Sequence, residues 1–256
     1  MNVLVCVKRV PATGGRISVT PDEQEIDTRF ASFTISPHEE CAVEEALRLV
    51  EAFGGATAVL TLGPEVAAEQ LRDALAMGVQ RAILLQTDGR EWDPGATARA
   101  IVDVIRTRQA GGENLDLVLF GNEAADSGDY QVGVRVAHAL DWPCVTGVKG
   151  LSIKDGTATA RREAAGGWEI YEVPLPAVVT VKEGINLPRY PTVPGRLKAR
   201  RAPIETIRPR QTENALKKVR LKLPPPKGNK GEILGRGPEA APRLVEVFRK
   251  LGVIPL

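Results

Sequence analysis

The segment formed by residues 115–143 restricts the possible folds of this chain more than any other stretch. It opens with an uninterrupted apolar run at residues 117–120, which is typical of a parallel strand covered on both faces. Val132, Val136 and Leu140 follow at a spacing of four, which predicts one face of a helix. The segment therefore predicts a strand, a tight turn and a helix in the middle of a sheet.

The turn inside this segment is the first candidate for a binding site. In an open α/β sheet such a turn lies at the carboxyl ends of the strands, and free N–H groups at a helix start attract anions. Residues 121–122 and 127–131 are therefore candidates to hold a nucleotide phosphate through backbone amides. The alternative is structural, with Asp126 or Ser127 capping the helix and Asp129 compensating its dipole.

Gly133 lies one turn into the predicted helix and favours the functional alternative. A glycine there destabilises a helix by about 1 kcal/mol relative to alanine. It usually marks the close approach of another group, here either a strand backbone or a ligand.

Length, charge and cysteine content narrow the class of protein. The 256 residues suffice for one large or two small domains with a sizeable core. A net charge of +2 from 34 basic and 32 acidic residues argues against a dedicated nucleic-acid-binding protein. Three cysteines that are far apart in sequence predict neither a disulfide scaffold nor a zinc site. We expect a cytoplasmic protein without membrane insertion, because no apolar run approaches the ~20 residues that span a bilayer.

The first 143 residues alternate between apolar strands and amphipathic helices. This alternation predicts a Rossmann-like α/β fold, with a mostly parallel sheet and helices on both faces. The predicted strands are 2–7, 57–62, 81–86 and 117–120, with a small hairpin at 17–26. The predicted helices are 37–53, 64–77, 93–109 and the helix that begins near residue 132.

The alternation of strands and helices ends after Cys144. Short strands are predicted at 145–153, 157–162, 168–173 and 177–181, and we expect them to extend one edge of the sheet as antiparallel additions. Beyond Gly184 the chain is rich in proline and basic residues, which predicts an extended C-terminal arm, followed by an amphipathic helix at 238–251. We therefore expect a nucleotide-binding domain at 1–186 and a partner-binding part at 187–256.

Several other patterns are weaker indications of a binding or catalytic site. The G-x-G-x-x-A pattern at 235–240 leaves too few residues for a dinucleotide-binding βαβ unit. His38 is expected in the first turn of a helix and His138 on an exposed helix face. The basic run 196–201 lacks interleaved aromatic residues, so a surface that docks an acidic protein partner is favoured over a nucleic-acid patch. No nucleophile-base pair, phosphate-binding P-loop or metal-ligand cluster is found.

Several ordered motifs together resemble one protein family. They are R-E-A-A-G-G-W-E at 162–169, L-P-A-V-V-T at 175–180, N-L-P-R-Y-P-T at 186–192, V-C-V-K-R-V at 5–10, C-A-V-E-E-A-L at 41–47, A-L-A-M-G at 74–78 and D-W-P at 141–143. With these motifs the chain resembles the β subunit of electron transfer flavoproteins along nearly its whole length.

The resemblance implies a heterodimer with an α subunit that holds most of an FAD. It also implies an electron-carrier subunit rather than a stand-alone catalyst, which exchanges electrons with flavin dehydrogenases and an acceptor such as a quinone oxidoreductase. The β subunit would bind AMP of its own. By similarity, the cofactor-binding residues are Cys6, Thr13, Ser36, Pro37, His38, Glu39, Leu62, Gly121, Asn122, Asp126, Ser127, Gly128, Asp129, Tyr130, Gln131 and Val132. The partner-binding residues are Tyr190, Val193, Pro194, Arg196, Leu197 and Lys198.

Two variants of the family differ in what the β subunit binds. Residues 10–13 and 131–133 resemble members that bifurcate electrons and hold a second FAD in place of AMP. Asp129 and Val134 depart from that pattern, and a carboxylate at the helix start opposes a diphosphate more than a single phosphate. AMP is therefore the expected ligand and a second FAD the alternative. Outside this family, a nucleotide-binding module like that of universal stress proteins and a purely structural subunit stay open as hypotheses.

Overall fold

The structure is a computed structural model, and it describes residues 1–12, 14, 17–29, 31–225 and 231–254. The chain divides into two compact units, Met1–Leu221 and Lys222–Leu256. The first unit contains the sheet and the candidate site. The second contains the C-terminal helix.

Eleven strands lie in the described residues. In chain order they are β1 (Asn2–Cys6), β2 (Val10–Pro11), β3 (Phe33–Thr34), β4 (Ala56–Gly63), β5 (Arg81–Gln86), β6 (Leu117–Gly121), β7 (Cys144–Lys154), β8 (Thr157–Ala164), β9 (Gly167–Pro174), β10 (Ala177–Val181) and β11 (Glu205–Ile207). Nine of these form one sheet in the order β11-β5-β4-β1-β6-β10-β7-β8-β9, and β2 pairs with β3 separately. Seven neighbouring strands, from β11 to β7, run parallel, whereas β8 and β9 are antiparallel additions.

The described part of the chain contains six α-helices. They are α1 (Pro37–Phe53), α2 (Ala68–Met77), α3 (Pro94–Ala110), α4 (Val132–Leu140), α5 (Val193–Arg201) and α6 (Ala241–Lys250). Short 3-10 turns at Glu65–Ala67 and Pro238–Ala240 precede α2 and α6. The predicted α/β fold with a mostly parallel sheet is confirmed.

Alternate residues of the central strands pack into two cores. Val3 and Val5 of β1 face a core that includes α1 and α2, whereas Leu4 and Cys6 face a core that includes α3 and α4. Because successive side chains of a strand point to opposite faces, a strand covered by helices on both faces must be apolar throughout. The continuous apolar run of β6 is therefore buried on both faces, as predicted.

The position of residues 177–181 differs from the prediction. We expected antiparallel strands along one edge for both 145–153 and 177–181, but β10 lies inside the sheet, parallel to β6 on one side and to β7 on the other. All five of its residues are buried. The reason is the same as for β6, since an uninterrupted buried run suits a central parallel strand rather than an edge.

The extended arm expected after Gly184 is also partly wrong. Residues 193–201 form α5, where Ala199 is buried in the core that α2 shares. Residues 205–207 form β11, which pairs with β5 and extends the parallel sheet. Local composition did not predict these elements because their stability comes from tertiary contacts with α2 and β5. The expected hairpin at 17–26 is reduced to a single antiparallel bridge between Val19 and Ile26.

Candidate functional site

The candidate site lies where the carboxyl ends of β1 and β6 meet the start of α1. These strands pair in parallel, so Cys6 and Gly121 end at the same edge of the sheet. Ser36 is the N-cap residue of α1, and Pro37 opens the helix with the fixed backbone angle that a first turn favours. Such an edge is the usual ligand position in an open α/β sheet.

Glu39 connects the parts of this edge. Its side chain accepts hydrogen bonds from the Lys8 N–H (3.0 Å) and the Ser36 N–H (3.2 Å). A Cβ atom on Gly121 would lie 2.6 Å from Cγ of Glu39, so only glycine fits there. Glu39 is 6% exposed, and this burial raises the pKa of its carboxyl to about 8, although the two N–H groups oppose that rise. Glu39 therefore holds strand β1, strand β6 and helix α1 together.

His38 ties the turn after β6 to the start of α1. The backbone N–H of Glu183 donates to His38 Nδ1 (3.0 Å), so the ring hydrogen belongs on Nε2. Nε2 lies 3.2 Å from Oε1 of Glu123, to which it donates. The Ser36 hydroxyl also donates to the Glu123 carbonyl (3.4 Å). The first part of the turn is thus fixed to α1 by both side chain and backbone.

The structural alternative required Asp126 to cap the helix. The structure shows that Asp126 does not cap it. Its carboxylate pairs with Nζ of Lys8 at 2.7 Å and accepts a hydrogen bond from the Ser127 N–H at 2.8 Å. Helix α4 begins only at Val132, and its N-cap residue Gln131 makes no side-chain capping bond. The first turn of α4 contains no acidic residue. Its first N–H groups are therefore uncapped, which is the arrangement that binds an anion.

Asn122 is held by the neighbouring central strands. Its backbone N–H donates to the Val181 carbonyl (2.8 Å), and its Oδ1 accepts a hydrogen bond from the Thr180 hydroxyl (2.8 Å). Thr180 Oγ1 in turn accepts one from the Gly147 N–H at a β-bulge (3.0 Å). The side-chain oxygen of Asn122 is thereby oriented by buried groups.

Gly133 approaches protein side chains rather than a ligand. A Cβ atom there would lie 2.9 Å from Cγ2 of Thr180 and 3.2 Å from Cδ2 of Phe120. The glycine thus lets α4 pack closely on β6 and β10, and it is not by itself a sign of ligand binding.

The remaining predicted cofactor residues are distributed along the same edge. Leu62 packs on the core that contains Cys6 and Phe120. Gly128 and Tyr130 have positive φ angles of 58° and 57°, and the Tyr130 side chain is exposed. A tyrosine in this conformation is uncommon outside sites where the surrounding structure holds it. Thr13 lies outside the described residues.

Sequence reasoning missed Lys8, which pairs with Asp126 of the turn, and Glu123 of the turn, which pairs with His38. It also missed Arg9, whose guanidinium lies 3.3 Å from the centre of the Phe33 ring. Lys8 and Arg9 lie two and three residues after the end of β1, and the rule that ligands bind at the carboxyl ends of parallel strands was sufficient to include them.

The predicted partner-binding residues lie together on the surface of α5 and the turn before it. We call residues 190–198 the docking segment. Tyr190, Val193 and Leu197 are 92%, 73% and 57% exposed, and Pro194, Arg196 and Lys198 are exposed beside them. Exposed apolar side chains next to basic ones are typical of a protein interface.

No helix among the described residues combines the length and apolar character needed to cross a bilayer. The same residues contain no group of three or more His, Cys, Asp or Glu side chains arranged to hold a metal ion.

Comparison with known proteins gives one consistent family. The model of the electron transfer flavoprotein domain matches residues 27–212. The electron transfer flavoprotein subunit beta of Bacillus subtilis (strain 168) is 34% identical over 97% of this chain and 98% of its own length. The proteins of the same name from Syntrophomonas wolfei subsp. wolfei and Homo sapiens are 37% and 36% identical, covering 89% and 82% of this chain and 87% and 82% of their own lengths. The chain therefore belongs to the β-subunit family of the electron transfer flavoproteins.

Proposed function

We propose that this chain is the β subunit of a heterodimer that carries electrons from flavin dehydrogenases to an acceptor such as a quinone oxidoreductase. The family name of its relatives supports a partner α subunit. FAD, held mainly by the α subunit, would supply the electron-accepting chemistry, and the protein supplies binding and orientation. The chain acts as an electron-carrier subunit and not as a stand-alone catalyst.

We further propose that the site between β1, β6 and α4 binds AMP. The observation that carries this proposal is the uncapped start of α4 behind a turn whose Asp126 is paired with Lys8. Pairing removes much of the repulsion that an unpaired carboxylate would exert on a phosphate. The first N–H groups of α4 would hold the phosphate, and the turn after Gly121 would lie against the nucleoside.

AMP is favoured over a second FAD at this site because of Asp129. Its side chain is exposed and lies three residues before α4 begins. The helix dipole offsets only about 0.3 to 1 kcal/mol of repulsion at an exposed site. A diphosphate brings more charge to that carboxylate than a single phosphate does, so the single phosphate is tolerated better.

Features of the chain after residue 186 support the proposal that this part contacts partner proteins. In the second unit, α6 exposes Leu244, Val245 and Phe248 on one side, beside an open groove of about 460 Å³. Exposed apolar faces of this kind mark protein interaction sites. Within residues 187–256, we propose that the docking segment meets the flavin dehydrogenases and that the remainder docks on the α subunit.

Acid extraction of the purified heterodimer followed by chromatography tests the cofactor assignment. We expect one FAD and one AMP per heterodimer, and we expect the chain purified without its α subunit to carry no FAD. Two FAD and no AMP would contradict the AMP proposal, and a yellow single chain with stoichiometric FAD would contradict the shared FAD site.

A matched pair of variants locates the AMP. Asn122→Asp keeps the acceptor for the Thr180 hydroxyl but adds a negative charge to the turn. We expect it to weaken AMP binding at least about tenfold, equivalent to about 1.4 kcal/mol. Asn114→Asp makes the same change at an exposed position outside the site and should leave the AMP content unchanged. Equal AMP content in both variants would place the nucleotide elsewhere.

A further inference from the structure

Arg189 directly precedes the docking segment and makes an unusually complete set of contacts with α1. Its Nε and Nη2 donate to Oε2 and Oε1 of Glu44 at 2.8 and 3.0 Å. Its Nη1 and Nη2 donate to Oε1 and Oε2 of Glu51 at 2.5 and 3.0 Å. The backbone N–H of Arg189 also donates to Glu44 (3.1 Å). The planar guanidinium therefore pairs with two carboxylates at once, which a lysine cannot do.

The surroundings of Glu44 show that this pairing is required. Glu44 is 5% exposed, and a buried carboxylate without a partner is strongly unfavourable. The adjacent buried Glu45 is bonded by Nδ2 of Asn186 (2.9 Å), which also donates to the Cys41 carbonyl (3.0 Å). Two neighbouring carboxylates of α1 therefore hold residues 186 and 189 in place.

A second anchor fixes the other end of the docking segment on α2. A Cβ atom on Gly195 would lie 2.6 Å from the carbonyl oxygen of Ala76, so the backbones of α5 and α2 touch at this point. Nη1 of Arg72 donates to the carbonyl oxygens of Ala199 (2.6 Å) and Arg200 (3.1 Å) at the end of α5. The segment is thus held at both ends by its own chain.

Between the two anchors, the side chains of Tyr190, Val193 and Leu197 are exposed. Ordering an interface side chain only on binding causes a loss of affinity. A backbone that is already fixed avoids part of this loss. The basic residues of α5, with no acidic residue among them, fit a partner whose apolar pocket is rimmed by acidic side chains.

We infer that Arg189 is a positioning residue for partner docking: by pairing with Glu44 and Glu51 it holds the docking segment in the shape that an acidic-rimmed apolar pocket of a flavin dehydrogenase recognises. This inference rests on the proposed function, because that proposal supplies the partner. Arg189 itself is half-buried against α1. It maintains the shape of the docking segment and is not itself a contact residue.

The test uses the intact heterodimer with three variants. Arg189→Lys keeps the charge and removes the double pairing. Val193→Asp disturbs the contact surface directly and leaves the anchor intact. Arg48→Lys is the matched control, since Arg48 lies on α1 with an exposed side chain and only a long contact (3.9 Å) with Glu45. Each is examined by hydrogen exchange of residues 195–202 and by affinity for a flavin dehydrogenase that reduces the wild-type heterodimer.

We expect Arg189→Lys to accelerate exchange in α5 and to weaken dehydrogenase binding about tenfold, with unchanged FAD content. Arg48→Lys should match the wild type in both measurements. Unchanged exchange in Arg189→Lys overturns the inference whatever the partner is. Faster exchange with unchanged affinity, while Val193→Asp binds weakly, also overturns it, because the surface would then bind without being held. If Val193→Asp binds as tightly as the wild type, the docking role in the proposed function fails instead.

Discussion

Replacing Gly121 with alanine is the sharpest test of how the candidate site is built. The added methyl group would lie 2.6 Å from Cγ of Glu39, 3.1 Å from its backbone nitrogen and 3.2 Å from Cβ of His38. The backbone nitrogen belongs to the first turn of α1 and cannot move without the helix. The substitution therefore forces either the Glu39 side chain or the start of α1 away from the sheet edge.

The expected magnitude follows from three contributions. Overpacking at a well-packed position destabilises a protein by about 1 to 3 kcal/mol. Displacing Glu39 also weakens its bonds to the N–H groups of Lys8 and Ser36, each with a net contribution of about 0.5 to 1.5 kcal/mol. The lower entropy of an unfolded chain with alanine offsets about 0.4 to 1 kcal/mol. With the middle of each range, the free energy of unfolding should fall by about 3 kcal/mol.

Calorimetry of the heterodimer measures this loss. For a chain of this size the change corresponds to a melting temperature lower by roughly 5 to 15 °C. Gly167→Ala is the control, because a Cβ atom there would meet nothing within 4 Å, and it should leave the melting temperature nearly unchanged. AMP content should fall only in Gly121→Ala. A Gly121→Ala protein with wild-type stability and AMP content would refute the described packing of Glu39 against the end of β6.

One further prediction concerns pH. Burial raises the pKa of Glu39 from 4.5 to about 8, so the folded state holds this proton more tightly than the unfolded state does. The stabilising contribution is complete below about pH 4.5 and is lost as the pH rises towards 8. Between pH 5 and pH 8 the wild type should therefore lose stability relative to Glu39→Gln, by at most about 4 kcal/mol. Parallel pH profiles of the two proteins in denaturant titrations would contradict this.

Much of the fold was predictable because its signals are local. The strands at 2–7, 57–62, 81–86 and 117–120 and the helices that follow them agree with the structure to within a few residues. Apolar runs and helical spacing report directly on which faces are buried. The exposed position of His138 on α4 followed from the same spacing.

The errors share one cause, which is that some elements depend on partners distant in sequence. The place of β10 between β6 and β7 depends on its pairing with these two strands and not on its own pattern. Helix α5 was missed because its sequence has a proline, a glycine and many charges, and it is held by Arg72 and by close contact with α2. Neither contact leaves a periodic pattern in the segment itself.

The features of the candidate site also separate into those that the sequence determined and those that depend on contacts between distant residues. The sequence by itself determined that a turn lies after β6 at the carboxyl edge of a parallel sheet, because an apolar run followed by a helical spacing has one common solution in α/β proteins. Its family motifs determined membership in the electron transfer flavoproteins. Only the tertiary structure decided that Asp126 pairs with Lys8 instead of capping α4, that Glu39 joins β1 to α1 beside Gly121, and that Arg189 holds the docking segment on Glu44. These contacts join residues 31 to 145 positions apart, and the pairing of such residues depends on how strands and helices pack rather than on local sequence.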